Sequence, residues 1–213
     1  MHEEEKSKAD KLCAFTFDDG PNITTTVGVL DALERLSIQA TFFLVGKNIN
    51  PETAPVMKRA LAQGCELQNH SWSHSHMTLL SPDAVRSEIL KTSDAIESVT
   101  GSCPTFFRPP YFETNDGMAT IAAMPMIGGI DCEDWVPSIS AEHRAQLVLD
   151  RVEDGSIIVL HDFEGNEASI DALALIIPEL TRRGYAFVTV SELFRMKEVD
   201  PASRETLWQR VDL

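Results

Sequence analysis

Basic residues are scarce in this chain: its 213 residues carry 18 Lys and Arg against 33 Asp and Glu, a formal charge of −15. Phosphate backbones are held by clustered Lys and Arg, so the composition argues against a nucleic-acid partner and against attraction to an anionic membrane surface. No run approaches the ~20 consecutive apolar residues that cross a bilayer, which excludes insertion as a membrane helix. Cysteine is sparse as well. Cys13, Cys65, Cys103 and Cys132 are scattered and form no CxxC pair. Cys13 lies in the apolar run LCAFTF and reads as a small buried hydrophobe. Two disulfides remain open for an exported protein, although a core of this length does not need them. The start, MHEEEKSKADKL, has no apolar h-region. As it stands this reads as cytoplasmic, or as extracellular or cell-surface if a leader has been removed. Internal repeats, low-complexity tracts and linkers are also missing.

What is present is an ordinary apolar share of 43%, enough to bury a real core. Short β-type runs at Leu12–Phe17, Ala40–Val45, Cys65–Asn69, Thr105–Arg108, Met126–Asp131, Ile157–His161 and Ala186–Val190 alternate with helical patterns. Ser81-Pro82 reads as an N-cap followed by proline at the first helical position, opening a helix to about Val99. Ala145, Val148, Leu149 and Val152 recur at i, i+3, i+4 and i+7. Ile170, Leu173, Ile177 and Leu180 make a second stripe, ended by Arg182, Arg183 and Gly184. About seven strands alternating with helices predict an α/β fold on a parallel sheet, closed as a barrel or open and doubly wound. The expected layout is a polar N-terminal extension at 1–10, one domain at 11–196 and a polar C-terminal tail at 197–213.

Chemically capable residues cluster just after these strands. Asp18-Asp19 follows the first, His70 and His74 the third, Arg108 to Tyr111 the fourth, Asp131 to Trp135 the fifth, and His161-Asp162 the sixth. Parallel α/β sheets gather their strand C-termini on one face, so the five clusters are expected to converge. His70 and His74 are spaced to grip one ion, and a carboxylate would complete a two-His, one-Asp face with open positions. Ser71 stands where a zincin needs Glu, which argues against that protease class. His76 fits the spacing less well and reads as surface. Asp18-Asp19-Gly20-Pro21 is a turn by composition, and two adjacent carboxylates can also divide metal binding and proton transfer. Prolines stiffen Arg108-Pro109-Pro110-Tyr111, which could hold a backbone N–H toward an oxyanion, while Arg108 could pair with a carboxylate. His161 ends a buried strand, and Asp134 is the acid that would raise its pKa, with Trp135 as an apolar wall.

Together TFDDGP (Thr16–Pro21), HSWSH (His70–His74), RPPY (Arg108–Tyr111), DCEDW (Asp131–Trp135) and VLH (Val159–His161) resemble the five ordered motifs of NodB-type polysaccharide deacetylases, carbohydrate esterase family 4. The resemblance runs from about Phe15 to Asp162. It implies a distorted (β/α) barrel, the NodB homology domain, that removes acetyl groups from amino sugars or xylan with a divalent metal, usually Zn2+ and sometimes Co2+ or Ni2+. Carried over, Asp19, His70 and His74 would bind the metal, and Asp18 would be the general base, anchored by Arg108. The backbone N–H of Tyr111 would join the oxyanion site, and His161 would be the general acid, tuned by Asp134. Tyr111 and Pro110 would contact substrate, and Trp135 and Leu160 would line the acetyl pocket. Many members continue with glycine after the tyrosine, whereas this chain has Phe112-Glu113-Thr114-Asn115.

The expected partner is therefore an acetylated glycan containing N-acetylglucosamine. Chitooligosaccharides are favoured over anionic peptidoglycan because of the charge, with peptidoglycan deacetylation or acetylxylan ester hydrolysis as the alternatives. A non-heme iron oxygenase would also use two His and one carboxylate, but its HxD…H order and all-β scaffold do not match. A catalytically silent glycan-binding module leaves Asp18 and His161 without a purpose. The oligomeric state stays open.

Overall fold

The computed structural model describes residues 11–212, so the expected extension at 1–10 lies outside the described residues. The apolar run after it becomes the central strand β1 (Lys11–Asp18), buried from Cys13 onward. All its ladders are parallel. It pairs with β5 (Ser156–His161) along most of its length, with β6 (Tyr185–Phe187) at its start and with β2 (Thr41–Leu44) at its end. β2 continues to β3 (Glu66–Asn69), and β5 to the short β4 (Ile130–Asp131). The sheet order is β3-β2-β1-β5-β4, with β6 on β1. Helices α1 (Thr25–Leu36), α2 (Ala54–Ala62), α3 (Pro82–Thr100), α4 (Met118–Ala122), α5 (Ala141–Arg151), α6 (Glu167–Arg182) and α7 (Val190–Met196) connect or follow these strands.

Alternation along the strands sorts side chains into two layers, because successive Cβ atoms point to opposite faces. Phe15, Phe17, Phe42, Leu44, Ile158 and Leu160 pack in one cluster with the apolar stripes of α1, α5 and α6. Ala14, Phe43 and Ile157 belong to the other face, with Phe106, Ile127 and Phe194. α3 starts where expected: Ser81 Oγ accepts from Ala84 N at 3.4 Å, and Gly101 closes the helix at φ 76°. Gly101 takes a left-handed conformation that would strain a residue with a Cβ.

Two stretches differ from expectation. Thr105–Arg108 is not a regular strand; Phe107 makes isolated bridges to Asn69 and Met126, and these span the gap between β3 and β4. Pro104, Pro109, Pro110 and Pro125 have no N–H to give to a ladder, which limits pairing on both sides of that gap. Among the described residues six strands thus stand where about seven were expected. Secondly, the polar segment after Met196 does not trail away. Trp208 and Val211 are buried in the cluster of Ala14 and Phe43, and bridges join Ile127 to Trp208 and Ser156 to Arg210. Two well-spaced apolar residues suffice to seal that end of the sheet. All four cysteines are free, with Cys13, Cys65 and Cys132 buried. Among the described residues no helix is long and apolar enough to cross a membrane.

Candidate active site and metal centre

The ends of β1, β3 and β5 lie on one side of the sheet, and Asp18 and His161 are register partners on adjacent strands. Just beyond β1 the chain turns through Asp19, at φ 78°. The turn is held by Asn48 Nδ2 donating to Asp19 O at 2.8 Å and Val45 N donating to Gly20 O at 2.8 Å. It aims the Asp19 carboxylate at two imidazoles. His70 Nε2 and His74 Nε2 lie 3.6 and 3.3 Å from Asp19 Oδ1. Neither contact has hydrogen-bond geometry, so this buried oxygen has no hydrogen-bond partner.

One donor atom from each of Asp19, His70 and His74 falls within 4.8 Å of the others. His70 Nδ1 sits 2.7 Å from the carbonyl of Arg108, which can only accept, so Nδ1 carries the proton and Nε2 keeps its lone pair. Burial, and then the neighbouring His70, lower the pKa of His74 and favour the neutral, ligating form. An unpartnered buried carboxylate oxygen facing two free imidazole nitrogens fits a divalent cation, and two imidazoles plus one carboxylate suit zinc or cobalt.

Asp18 is also buried, and its charge is answered from below. Arg108 has no solvent exposure; its Nη1 donates to Asp18 Oδ1 at 2.6 Å and to Thr16 Oγ1 at 2.8 Å. Nε donates to Ile127 O at 3.2 Å, and Nη2 to Gly128 O at 2.7 Å. The guanidinium also lies 4.0 Å from the ring centroid of Phe43. With Oδ1 engaged, Oδ2 faces the centre, 3.8 Å from His70 Nε2.

His161 is held by Asp134 at two points. Its N–H donates to Asp134 Oδ2 at 2.7 Å, and Nδ1 donates to Oδ1 at 2.6 Å. Nε2 is thereby left for the cleft. Burial lowers the His161 pKa, but the Asp134 hydrogen bond and charge, with Asp18 and Asp19 nearby, outweigh it and push the pKa up to about 9. For Asp134, burial works against the charge, and the bonds from His161 and Ser169 still hold its carboxyl below the usual range.

The cleft has a volume of about 390 Å³ and is lined by Asp18, Asp19, His70 and His74 with Tyr111, Trp135 and His161 among others. Tyr111 and Phe112 both have positive φ, 59° and 56°. Such conformations are strained for bulky side chains and persist only where the surroundings hold them. The Tyr111 ring is edge-on to His74 and stacked on His76 at 4.1 Å. His76 is half-exposed and bonds Glu113 at 3.1 Å, in keeping with a surface residue. Trp135 stands edge-on to His161, with centroids 5.8 Å apart. Two expected contacts fall elsewhere. Pro110 is buried without lining the cleft, and Leu160 lies in the core beside Phe17, its register partner. Period-2 alternation sends Leu160 to the helix-packed face whenever His161 faces the site.

Reasoning from sequence passed over the supports. Ser169 Oγ and Asn166 Nδ2 donate to Asp134 Oδ2 at 2.5 and 3.2 Å, and buried Arg144 donates to both Asn166 and Ser169. Glu88 accepts the N–H groups of Trp72 and Ser73 at 3.0 and 2.7 Å, shaping the loop between the two imidazoles. Asp162, seen only as part of a cluster, is fully buried under the Asp18-Asp19-Gly20 turn, and burial pushes it up to about 7. Polar residues opening α6 were the available signal for the first group. For Asp162 it was a second acid beside a strand-end histidine.

The family model described as polysaccharide deacetylase matches residues 5–125. A bifunctional xylanase/deacetylase from Pseudobutyrivibrio xylanivorans is 46% identical over 201 residues, covering 94% of this chain and 33% of that protein. A peptidoglycan-N-acetylglucosamine deacetylase from Listeria monocytogenes is 38% identical over 195 residues, covering 90% of this chain and 41% of that protein. The chain thus spans a third to two-fifths of the length of these two relatives. Among solved structures, a family 4 acetyl xylan esterase from Clostridium thermocellum with a cobalt ion superposes with a TM-score of 0.91 at 43% identity, covering 95% of this chain and all of that one. With the family model extending over more than half its length and relatives of 43–46% identity covering nearly all of it, this chain belongs to the polysaccharide deacetylases of carbohydrate esterase family 4.

Proposed function

We propose that this chain hydrolyses acetyl groups from acetylated xylan, using a divalent cation held by Asp19, His70 and His74. The carrying observation is the placement of Asp18 and His161 as register partners on adjacent strands, one a carboxylate anchored by Arg108 and the other an imidazole held by Asp134, beside the unpartnered Asp19 oxygen. The cation would supply Lewis acidity, acidifying water and polarising the acetyl carbonyl. Asp18 Oδ2 takes the proton of the attacking water, while Arg108 keeps that carboxylate ionised and in place. The carbonyl oxygen gains negative charge as it becomes tetrahedral, and the N–H of Tyr111, held by the strained 111–112 backbone, is the donor for it. His161 Nε2 then gives its proton to the departing sugar oxygen or nitrogen. Trp135 excludes water beside the acetyl methyl.

The xylan assignment rests on the identity to the two xylan-linked proteins, 46% and 43%, against 38% for the peptidoglycan enzyme. A second reading, N-deacetylation of chitooligosaccharides, draws on the His161–Asp134 pair, because an amine leaves poorly without a proton donor. Acetate release by the Zn2+- or Co2+-loaded protein from acetylated xylan and from N-acetylated chitooligosaccharides separates them. We expect kcat/KM on xylan to be higher by about tenfold or more, which is ~1.4 kcal/mol of transition-state discrimination. The reverse order would transfer the assignment to the amide substrate, and no acetate from either would remove both readings and leave peptidoglycan as the substrate to assay.

A further inference from the structure

We propose that Asp162 is a positioning residue that sets the metal-ligating geometry of Asp19 from beneath. The proposed reaction gives it no step, yet it is fully buried and has a bond in every direction toward the turn. Its carboxylate accepts from Gly20 N at 3.1 Å through Oδ1 and from Thr26 Oγ1 at 2.5 Å through Oδ2. Its own N–H donates to Asp18 O at 3.0 Å, and its carbonyl accepts from Asn22 Nδ2 at 2.5 Å. One residue therefore grips the chain on both sides of Asp19 and ties it to α1 and to the strand end that carries His161.

Gly20 fits the same picture. A Cβ built on it would come within 2.5 Å of Asp162 Oδ2, so the absence of a side chain is what lets the turn settle on the carboxylate. Asp19 meanwhile holds a left-handed conformation, at φ 78°, that a non-glycine residue keeps only when its neighbours are fixed. Asp162 fixes them through the next N–H along the chain. Outer-shell groups of this kind typically change metal affinity by ~10–100-fold when removed.

The inference rests on Asp19, His70 and His74 being the metal ligands, and the test keeps the two claims apart. Zn2+ affinity is measured by competition with a chromogenic chelator on the stripped protein, alongside thermal unfolding. Four proteins are compared: wild type, Asp162→Ala, Asp162→Asn and His74→Ala. We expect Asp162→Ala to weaken Zn2+ binding by ~10–100-fold at a temperature where circular dichroism shows it folded. Asp162→Asn keeps an acceptor for Gly20 N and reverses the Thr26 bond, its amide NH2 donating to the Thr26 hydroxyl, so it should stay within about threefold of wild type. Gly20→Ala, which strikes the same contact from the other side, should reproduce the loss if Asp162→Ala proves too unstable to measure. Unchanged affinity in both Asp162→Ala and Gly20→Ala would reduce Asp162 to a structural role. A loss in Asp162→Asn equal to that in Asp162→Ala would show that its charge, not its position, matters. Unchanged binding in His74→Ala would instead overturn the ligand assignment itself.

Discussion

Asp134→Asn isolates the acid half of the chemistry. The substitution keeps an oxygen for His161 Nδ1–H but removes the charge that outweighs burial at the imidazole. His161 stands at about 9 against an ordinary value of 6.5. The difference of roughly 2.5 units corresponds to about 3 kcal/mol in favour of the imidazolium. Without the Asp134 charge, burial should return His161 to ~6.5 or below. At pH 8 the protonated fraction then falls from about 0.9 to about 0.03, predicting an approximately thirtyfold drop in kcat/KM on a glycan acetyl group. The assay is a pH profile of acetate release, with 4-nitrophenyl acetate as control, since nitrophenolate departs without a proton. Wild type should lose activity as pH rises through about 9, and the variant at a distinctly lower pH, because burial then acts without the opposing Asp134 charge. Stability follows the same sign. A pKa raised by folding contributes fully below the unfolded value of 6.5 and is lost as pH climbs through about 9, so the variant should lose this part of the pH dependence of unfolding. An alkaline limb that does not move, or equal losses on glycan and nitrophenyl ester, would refute His161 as the acid.

Other perturbations follow from the same geometry. Arg108→Met leaves the buried Asp18 carboxylate and the Ile127 and Gly128 carbonyls without their donor, and should cost about 3–5 kcal/mol by urea unfolding. A loss below about 1 kcal/mol would mean the pair is solvated. Asp18→Asn should retain metal by elemental analysis while kcat falls by ~10²–10⁴-fold, and wild-type turnover would eliminate Asp18 as base. Trp208→Ala opens the sealed end of the sheet and should destabilise by about 3–5 kcal/mol, with KM on the glycan unaltered. A stability within ~0.5 kcal/mol of wild type would show that the segment after Met196 adds nothing to the fold.

Much of the site was legible because its residues are chemically conspicuous and sit at strand ends, where any parallel sheet gathers them. Asp18, Asp19, His70, His74, Trp135 and His161 all line one cleft, and Arg108 and Asp134 lie behind it on the two residues they were expected to serve. Where expectation failed, geometry that composition does not encode had decided the outcome. Leu160 shares a motif with His161 but points to the opposite face of β5, as alternation requires. Thr105–Arg108 is as apolar as a strand but is hemmed in by prolines, and only Phe107 pairs. Trp208 and Val211 were hidden in a polar segment too short for periodicity to register. Asp162 looked like part of the His161 cluster because its importance lies in what it touches, the Gly20 amide 142 residues earlier.

The most direct test of the account is metal removal and return. The protein is stripped with dipicolinate, zinc content is verified by elemental analysis, and acetate release from acetylated xylan and chitooligosaccharides is followed before and after adding one equivalent of Zn2+ or Co2+. The account predicts loss of acetate release on stripping and recovery on addition, with His74→Ala failing to recover under the same conditions. Undiminished acetate release from the verified metal-free protein would contradict it.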